Sequence, residues 1–168
     1  AEHFPVIGLD IDANRVDEIK RGHDRTREID RPQLCDTTMN FASDPAVIVG
    51  FDIYIVTVPT PVDNNNLPDL TAVRGASRMV GGVIKKGAII VYESTVYPGV
   101  TEDIAGPELE AASGLKCGED FFLGYSPERI NPGDREHTVD KITKVVAGQT
   151  PEVTQILGDM YAKLTSGG

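Results

Sequence analysis

The chain has 168 residues, 40% of them apolar and 25% charged, and carries a net charge of -10. That length fits one domain with a sizeable core, and the composition is that of an ordinary globular protein. The acidic balance argues against non-specific nucleic-acid binding, since phosphate contacts need a basic surface, but not against a nucleotide held by backbone amides at a helix start.

No apolar run approaches the roughly 18 residues of a membrane span. Cys35 and Cys117 have neither metal-like spacing nor a disulfide framework, so a cytoplasmic protein without a membrane partner is expected. Three scattered histidines add no metal signal.

In chain order, Pro5-Val6-Ile7-Gly8-Leu9-Asp10 reads as a buried strand. Asp12 reads as the N-cap of a helix to about Arg21, with Val16 and Ile19 on one face and Gly22 as its stop. Residues 23–38 are polar and irregular and read mostly as loop. A short strand is predicted at 39–42, and Ser43-Asp44-Pro45 is a good start for a brief helix. The β-branched run 52–58 is the next buried strand. Pro59-Thr60-Pro61 and the polar tract after it form a loop at that strand's carboxyl end.

Asp69 then caps a helix to about Ile84, with Leu70, Val73, Ala76, Val80 and Val83 inward. Residues 88–92 form a strand, and a helix from Val100 to about Ala112 follows it. Strands at 121–125 and 144–148 and a helix from Pro151 to about Leu164 complete the pattern. Strand and helix alternate with short connections, which argues an α/β fold with a doubly wound parallel sheet and no internal domain boundary.

In open α/β sheets ligands bind beyond the carboxyl ends of the strands. The loops after Val58, Tyr92 and Tyr125 should gather there, carrying Thr60, Ser94 with Thr95, and Glu128. A hydroxyl and a carboxylate so placed can order a water and take its proton. Singly, each loop reads slightly better as turn chemistry; the three together favour a site. An acid at a strand end, such as Asp10, is either a ribose ligand or a plain strand-end carboxylate. A glycine-rich phosphate loop about 20 residues earlier would favour the first reading, and the chain contains none.

Four motifs occur in the order seen in nucleotide-sugar 6-dehydrogenases. They are Asp10 with Arg15, Val58-Pro59-Thr60-Pro61, Glu93-Ser94-Thr95-Val96-Tyr97-Pro98-Gly99, and Ser126-Pro127-Glu128-Arg129-Ile130-Asn131-Pro132-Gly133. The chain resembles the UDP-glucose/GDP-mannose dehydrogenase family, and the last motif is similar to the branch acting on UDP-N-acetylhexosamines. The resemblance implies a Rossmann-like NAD-binding domain over residues 1–168, partial in lacking its first strand and glycine-rich loop.

It implies oxidation of a UDP-sugar C6 alcohol to a carboxylate, with NAD as cofactor, for surface polysaccharide precursors. In such enzymes the sugar passes through a cysteine-linked thioester that water hydrolyses. Neither Cys35 nor Cys117 matches that cysteine, so the chain alone is expected to be inactive. A homodimer or higher homo-oligomer is implied for the parent protein.

By the same resemblance Asp10 binds the adenosine ribose and Arg15 lies beside it. Val58, Pro59, Thr60 and Ser94 line the dinucleotide. Thr95 and Glu128 position and activate water, and Arg129, Ile130 and Asn131 touch the substrate. A β-hydroxyacid dehydrogenase domain and a non-catalytic nucleotide-binding module are the alternative readings.

Overall fold

A computed structural model describes residues 3–27, 29–127 and 143–164. They group into two compact units, Ala1–Val49 and Gly50–Gly168.

In the first unit, β1 (Ile7–Leu9) pairs in parallel with β2 (Asn40–Ala42). Helix α1 (Ala13–Lys20) starts where Asp12 accepts the Asn14 N–H at 2.9 Å, as its position before the apolar periodicity predicts. It ends at Gly22, whose φ of +73° is left-handed; a Cβ there would lie 2.7 Å from Cys35 Sγ. The stretch expected to be mostly loop contains a short helix, α2 (Arg31–Asp36), with a proline in its first turn. It buries no residue, so no apolar periodicity could announce it. Pro45–Ile48 form a 3₁₀ turn capped by Asp44. His3 and Phe4 lie in a bend.

The second unit is built on a four-stranded sheet in the order β3-β4-β5-β6. Strands β3 (Ile53–Val56), β4 (Ile89–Tyr92) and β5 (Phe122–Tyr125) are parallel and in register, so Val56, Tyr92 and Tyr125 end level with one another. Alternate residues of β4 face opposite ways, as strand geometry requires. Ile89 and Val91 pack with Val153, Leu157 and Tyr161 of α5 (Pro151–Tyr161). On the other face, the Tyr92 hydroxyl lies 2.6 Å from Ser77 Oγ of α3 (Thr71–Gly81), and burial pushes that phenol's pKa well up. Helices thus cover both faces of the parallel strands, the doubly wound arrangement.

Gly81 permits the close approach of α3 to α4 (Gly106–Ser113), since a Cβ there would lie 2.7 Å from Ala112 Cβ and 3.0 Å from the Leu109 carbonyl. The helix expected from Val100 begins as a π-helical segment, Val100–Ala105. Gly106 N–H reaches back to the Thr101 carbonyl, and Pro107 has no N–H to offer Asp103.

Three other expectations need correction. The sheet is not wholly parallel: β6 (Ala147–Gly148) pairs antiparallel with β5. The strand expected over 144–148 shrinks to those two residues. Gly148 N–H turns to Thr154 Oγ1 at 3.0 Å, and Lys144 forms an ion pair with Glu93. Ile55 is 43% exposed, so β3 is not covered on both faces as its continuous apolar run suggested.

Candidate functional site

The level carboxyl ends of β3 and β4 bring two of the three predicted loops together. Glu93 N–H continues the ladder to the Val56 carbonyl at 2.9 Å. Ser94 Oγ donates to the Val58 carbonyl, and Thr60 Oγ1 donates to the Thr95 carbonyl, both at 2.5 Å. Thr57, Val58, Pro59, Thr60, Glu93, Ser94 and Thr95 line an open groove of about 290 Å³. Ser94 is buried with its hydroxyl proton committed, so it serves as a tie between the loops. Thr95 is exposed, and its hydroxyl has no partner among the described residues.

Ser126 follows β5, and its N–H donates to the Tyr92 carbonyl at 3.0 Å, placing the third loop's origin beside the other two. Its Oγ is fully buried and has no partner among the described residues. Glu128, Arg129, Ile130 and Asn131 lie outside the described residues.

Sequence reasoning missed what stands behind this groove. Glu93 Oε1 accepts the Tyr161 hydroxyl at 2.5 Å, and Oε2 accepts Lys144 Nζ at 2.9 Å. The Lys144 ammonium also sits 5.5 Å from the centre of the Tyr161 ring. Glu93 opens one of the four motifs, but nothing in its spacing points to these partners. Lys144 carries one weak signal, a lone cation opening an apolar run; Tyr161 carries none.

In the other unit, Asp10 is exposed just beyond β1. One carboxylate oxygen accepts the Asp12 N–H at 2.8 Å, and the other has no partner among the described residues. Arg15 is committed: its Nη2 meets Asp24 Oδ1 at 2.6 Å, while its Nη1 is buried with no partner among the described residues. Burial pushes the Asp24 carboxyl upward. The Arg15 guanidinium, the Ile29 N–H and the Thr26 hydroxyl and N–H outweigh it and hold that pKa well below the usual carboxylate range.

The two cysteines have no catalytic setting. Cys35 is exposed, and burial pushes the Cys117 thiol up, away from the thiolate a nucleophile needs. Among the described residues no group of three or more His, Cys, Asp or Glu could hold a metal ion. No helix among them is long and apolar enough to cross a membrane.

A family model described as the UDP-glucose/GDP-mannose dehydrogenase family, NAD binding domain, matches residues 1–165. The chain belongs to this family.

Relatives of this dehydrogenase-family chain include Protein CapL of Staphylococcus aureus, 50% identical over 163 residues, covering 97% of the chain and 38% of the relative. The UDP-N-acetyl-D-glucosamine 6-dehydrogenase of Pseudomonas aeruginosa is 46% identical over 164 residues, covering 97% of the chain and 39% of the relative. Among solved structures, a UDP-D-ManNAc dehydrogenase from Pyrococcus horikoshii superposes with a TM-score of 0.86 at 28% identity, covering 98% of the chain and 40% of that structure. The chain therefore spans under two fifths of the length of these two sequence relatives.

NAD is the cofactor of this family's domain. The residues present fit it in two respects: a partnerless carboxylate oxygen on Asp10 can accept from a ribose hydroxyl, and the groove at the β3 and β4 ends lies where such folds bind ligands. Arg15 fits less simply, because Asp24 already neutralises it.

Proposed function

We propose that the protein carrying this chain is an NAD-dependent UDP-N-acetylhexosamine 6-dehydrogenase of surface-polysaccharide precursor synthesis. The observation that carries this reading is 46% identity, across 97% of the chain, to a UDP-N-acetyl-D-glucosamine 6-dehydrogenase. The β-hydroxyacid dehydrogenase reading gives way to the family match.

When bound, NAD supplies hydride acceptance for oxidation at the sugar's C6. This chain supplies the binding and proton-handling groups. Asp10 takes hydrogen bonds from the adenosine ribose through its partnerless oxygen, with Arg15 beside that ribose. The loop Val58, Pro59, Thr60 and the buried Ser94 form the wall along which the dinucleotide lies. Thr95 holds a water with its hydroxyl, which has no partner among the described residues, and Glu128 takes that water's proton. Arg129, Ile130 and Asn131 contact the UDP-sugar. The working protein is a cytoplasmic homodimer or higher homo-oligomer.

The test is NADH formation by the full-length protein with UDP-N-acetylglucosamine, UDP-N-acetylmannosamine, UDP-N-acetylgalactosamine and UDP-glucose. Turnover with at least one acetylated sugar is expected. Turnover with UDP-glucose alone would overturn the substrate class, and silence with all four would favour a non-catalytic nucleotide-binding module.

A further inference from the structure

Behind the groove, a cation, a carboxylate and a phenol from three separate elements meet with little access to water. The side chains of Lys144 and Glu93 are 5% and 13% exposed, and Tyr161 is 4% exposed. Desolvating an ion pair costs about as much as the pairing returns, so a buried pair is a poor source of stability. Its use is in fixing geometry. Here both carboxylate oxygens are engaged, each by a side chain distant in sequence.

We propose that Lys144 and Tyr161 are positioning residues that act through Glu93 to hold the Ser94–Thr95 loop at the carboxyl edge of the sheet. This rests on the reading of Thr95 as the water-holding residue. The loop is clamped from two sides. Toward β3, the Glu93 N–H, Ser94 Oγ and Thr95 carbonyl bond to Val56, Val58 and Thr60. Toward β6 and α5, the Glu93 carboxylate bonds to Lys144 and Tyr161. Releasing that side frees the backbone from which the Thr95 hydroxyl projects. The proposed proton transfer needs that hydroxyl in register with the water it holds.

The test uses the full-length protein with Lys144→Met, Lys144→Arg and Tyr161→Phe. Hydrogen exchange is followed by mass spectrometry beside turnover with NAD and UDP-N-acetylglucosamine. In Lys144→Met, peptides covering residues 93–97 should exchange about tenfold faster, while those over α3 and α4 keep the parent rate. Turnover should fall about 10–100-fold, because small displacements of a reacting group cost that much. The KM for NAD should stay within about threefold, since the interaction lost is not a uniform binding contact. Lys144→Arg, which keeps the cation, should recover most of both.

Parent exchange at 93–97 in both Lys144→Met and Tyr161→Phe overturns the proposal. So does faster exchange spread evenly through the sheet and its helices, which would mark the cluster as general scaffolding. Should Lys144→Met fail to fold, Tyr161→Phe removes a single oxygen and carries the exchange comparison alone. If the parent protein oxidises none of the four UDP-sugars, the functional reading falls, and the exchange data still decide the cluster.

Discussion

Asp24 and Glu93 are both ion-paired carboxylates with little exposure, yet Asp24 takes hydrogen bonds from Arg15, Thr26 and Ile29, at most nine residues away, while Glu93 reaches 51 and 68 residues along the chain. Asp24 collects two backbone N–H groups and the Thr26 hydroxyl from the turn it organises, with Arg15 closing the shell. Its burial is supported by donors that arrive with the local fold. Glu93 receives side chains alone, from segments that meet only once β4, β6 and α5 have assembled. A carboxylate of the first kind shapes a loop; one of the second kind reports, and enforces, the assembly of distant parts.

The comparison is broken most directly at Lys144. Lys144→Met leaves Glu93 buried beside an apolar chain, and removing one partner of a buried pair costs about 3–5 kcal/mol. A thermal or denaturant melt of the full-length protein should register this as the largest loss of the set. A melt matching the parent's would show that Glu93 finds other partners.

Asp24→Asn should come second, at about 1.5–3 kcal/mol, the worth of hydrogen bonds made to a charged group. This variant also sharpens the comparison through pH. The folded pKa of Asp24 is depressed, so its contribution is complete above the ordinary carboxylate value of about 3.9 and is lost as pH falls through the lowered folded value. The parent protein should therefore lose stability on acidification, and Asp24→Asn should show a shallower acid limb in melts recorded from neutral pH downward. Equal acid limbs would mean that Asp24 is not the group responsible.

The smallest effect is expected at Arg78, which bonds Glu108 at 2.7 Å and 3.0 Å from a side chain that is 63% exposed. Solvent screening and side-chain entropy consume most of such a pair's gain, and Arg74 still reaches Glu108. Arg78→Ala should leave the melting midpoint almost unmoved and should lose what little effect it has in high salt. A large shift there would show that distance alone, rather than burial and partner supply, ranks these pairs.

Much of the fold was readable from the chain because its signals are local. Asp12, Asp44 and Pro151 mark their helix starts through hydrogen bonds or ring geometry within a few residues. Strands β3, β4 and β5 each begin one residue inside their expected limits; β4 and β5 end where expected, and β3 ends two residues early. The pairing of the Val58–Thr60 and Ser94–Thr95 loops followed from strand alternation and the rule that ligands gather at strand ends. The short helix α2 escaped because it buries nothing, and the antiparallel β6 escaped because two residues carry no period.

By itself the sequence determined most of the alternation of elements, the caps at Asp12 and Asp44, the family motifs and the loops that line the groove, signals that are read from neighbours along the chain. The tertiary structure alone decided the direction of β6, the π-helical start before α4 and the meeting of Glu93 with Lys144 and Tyr161. Direction and meeting are long-range choices, settled when packed strands and helices bring together groups that no local spacing connects.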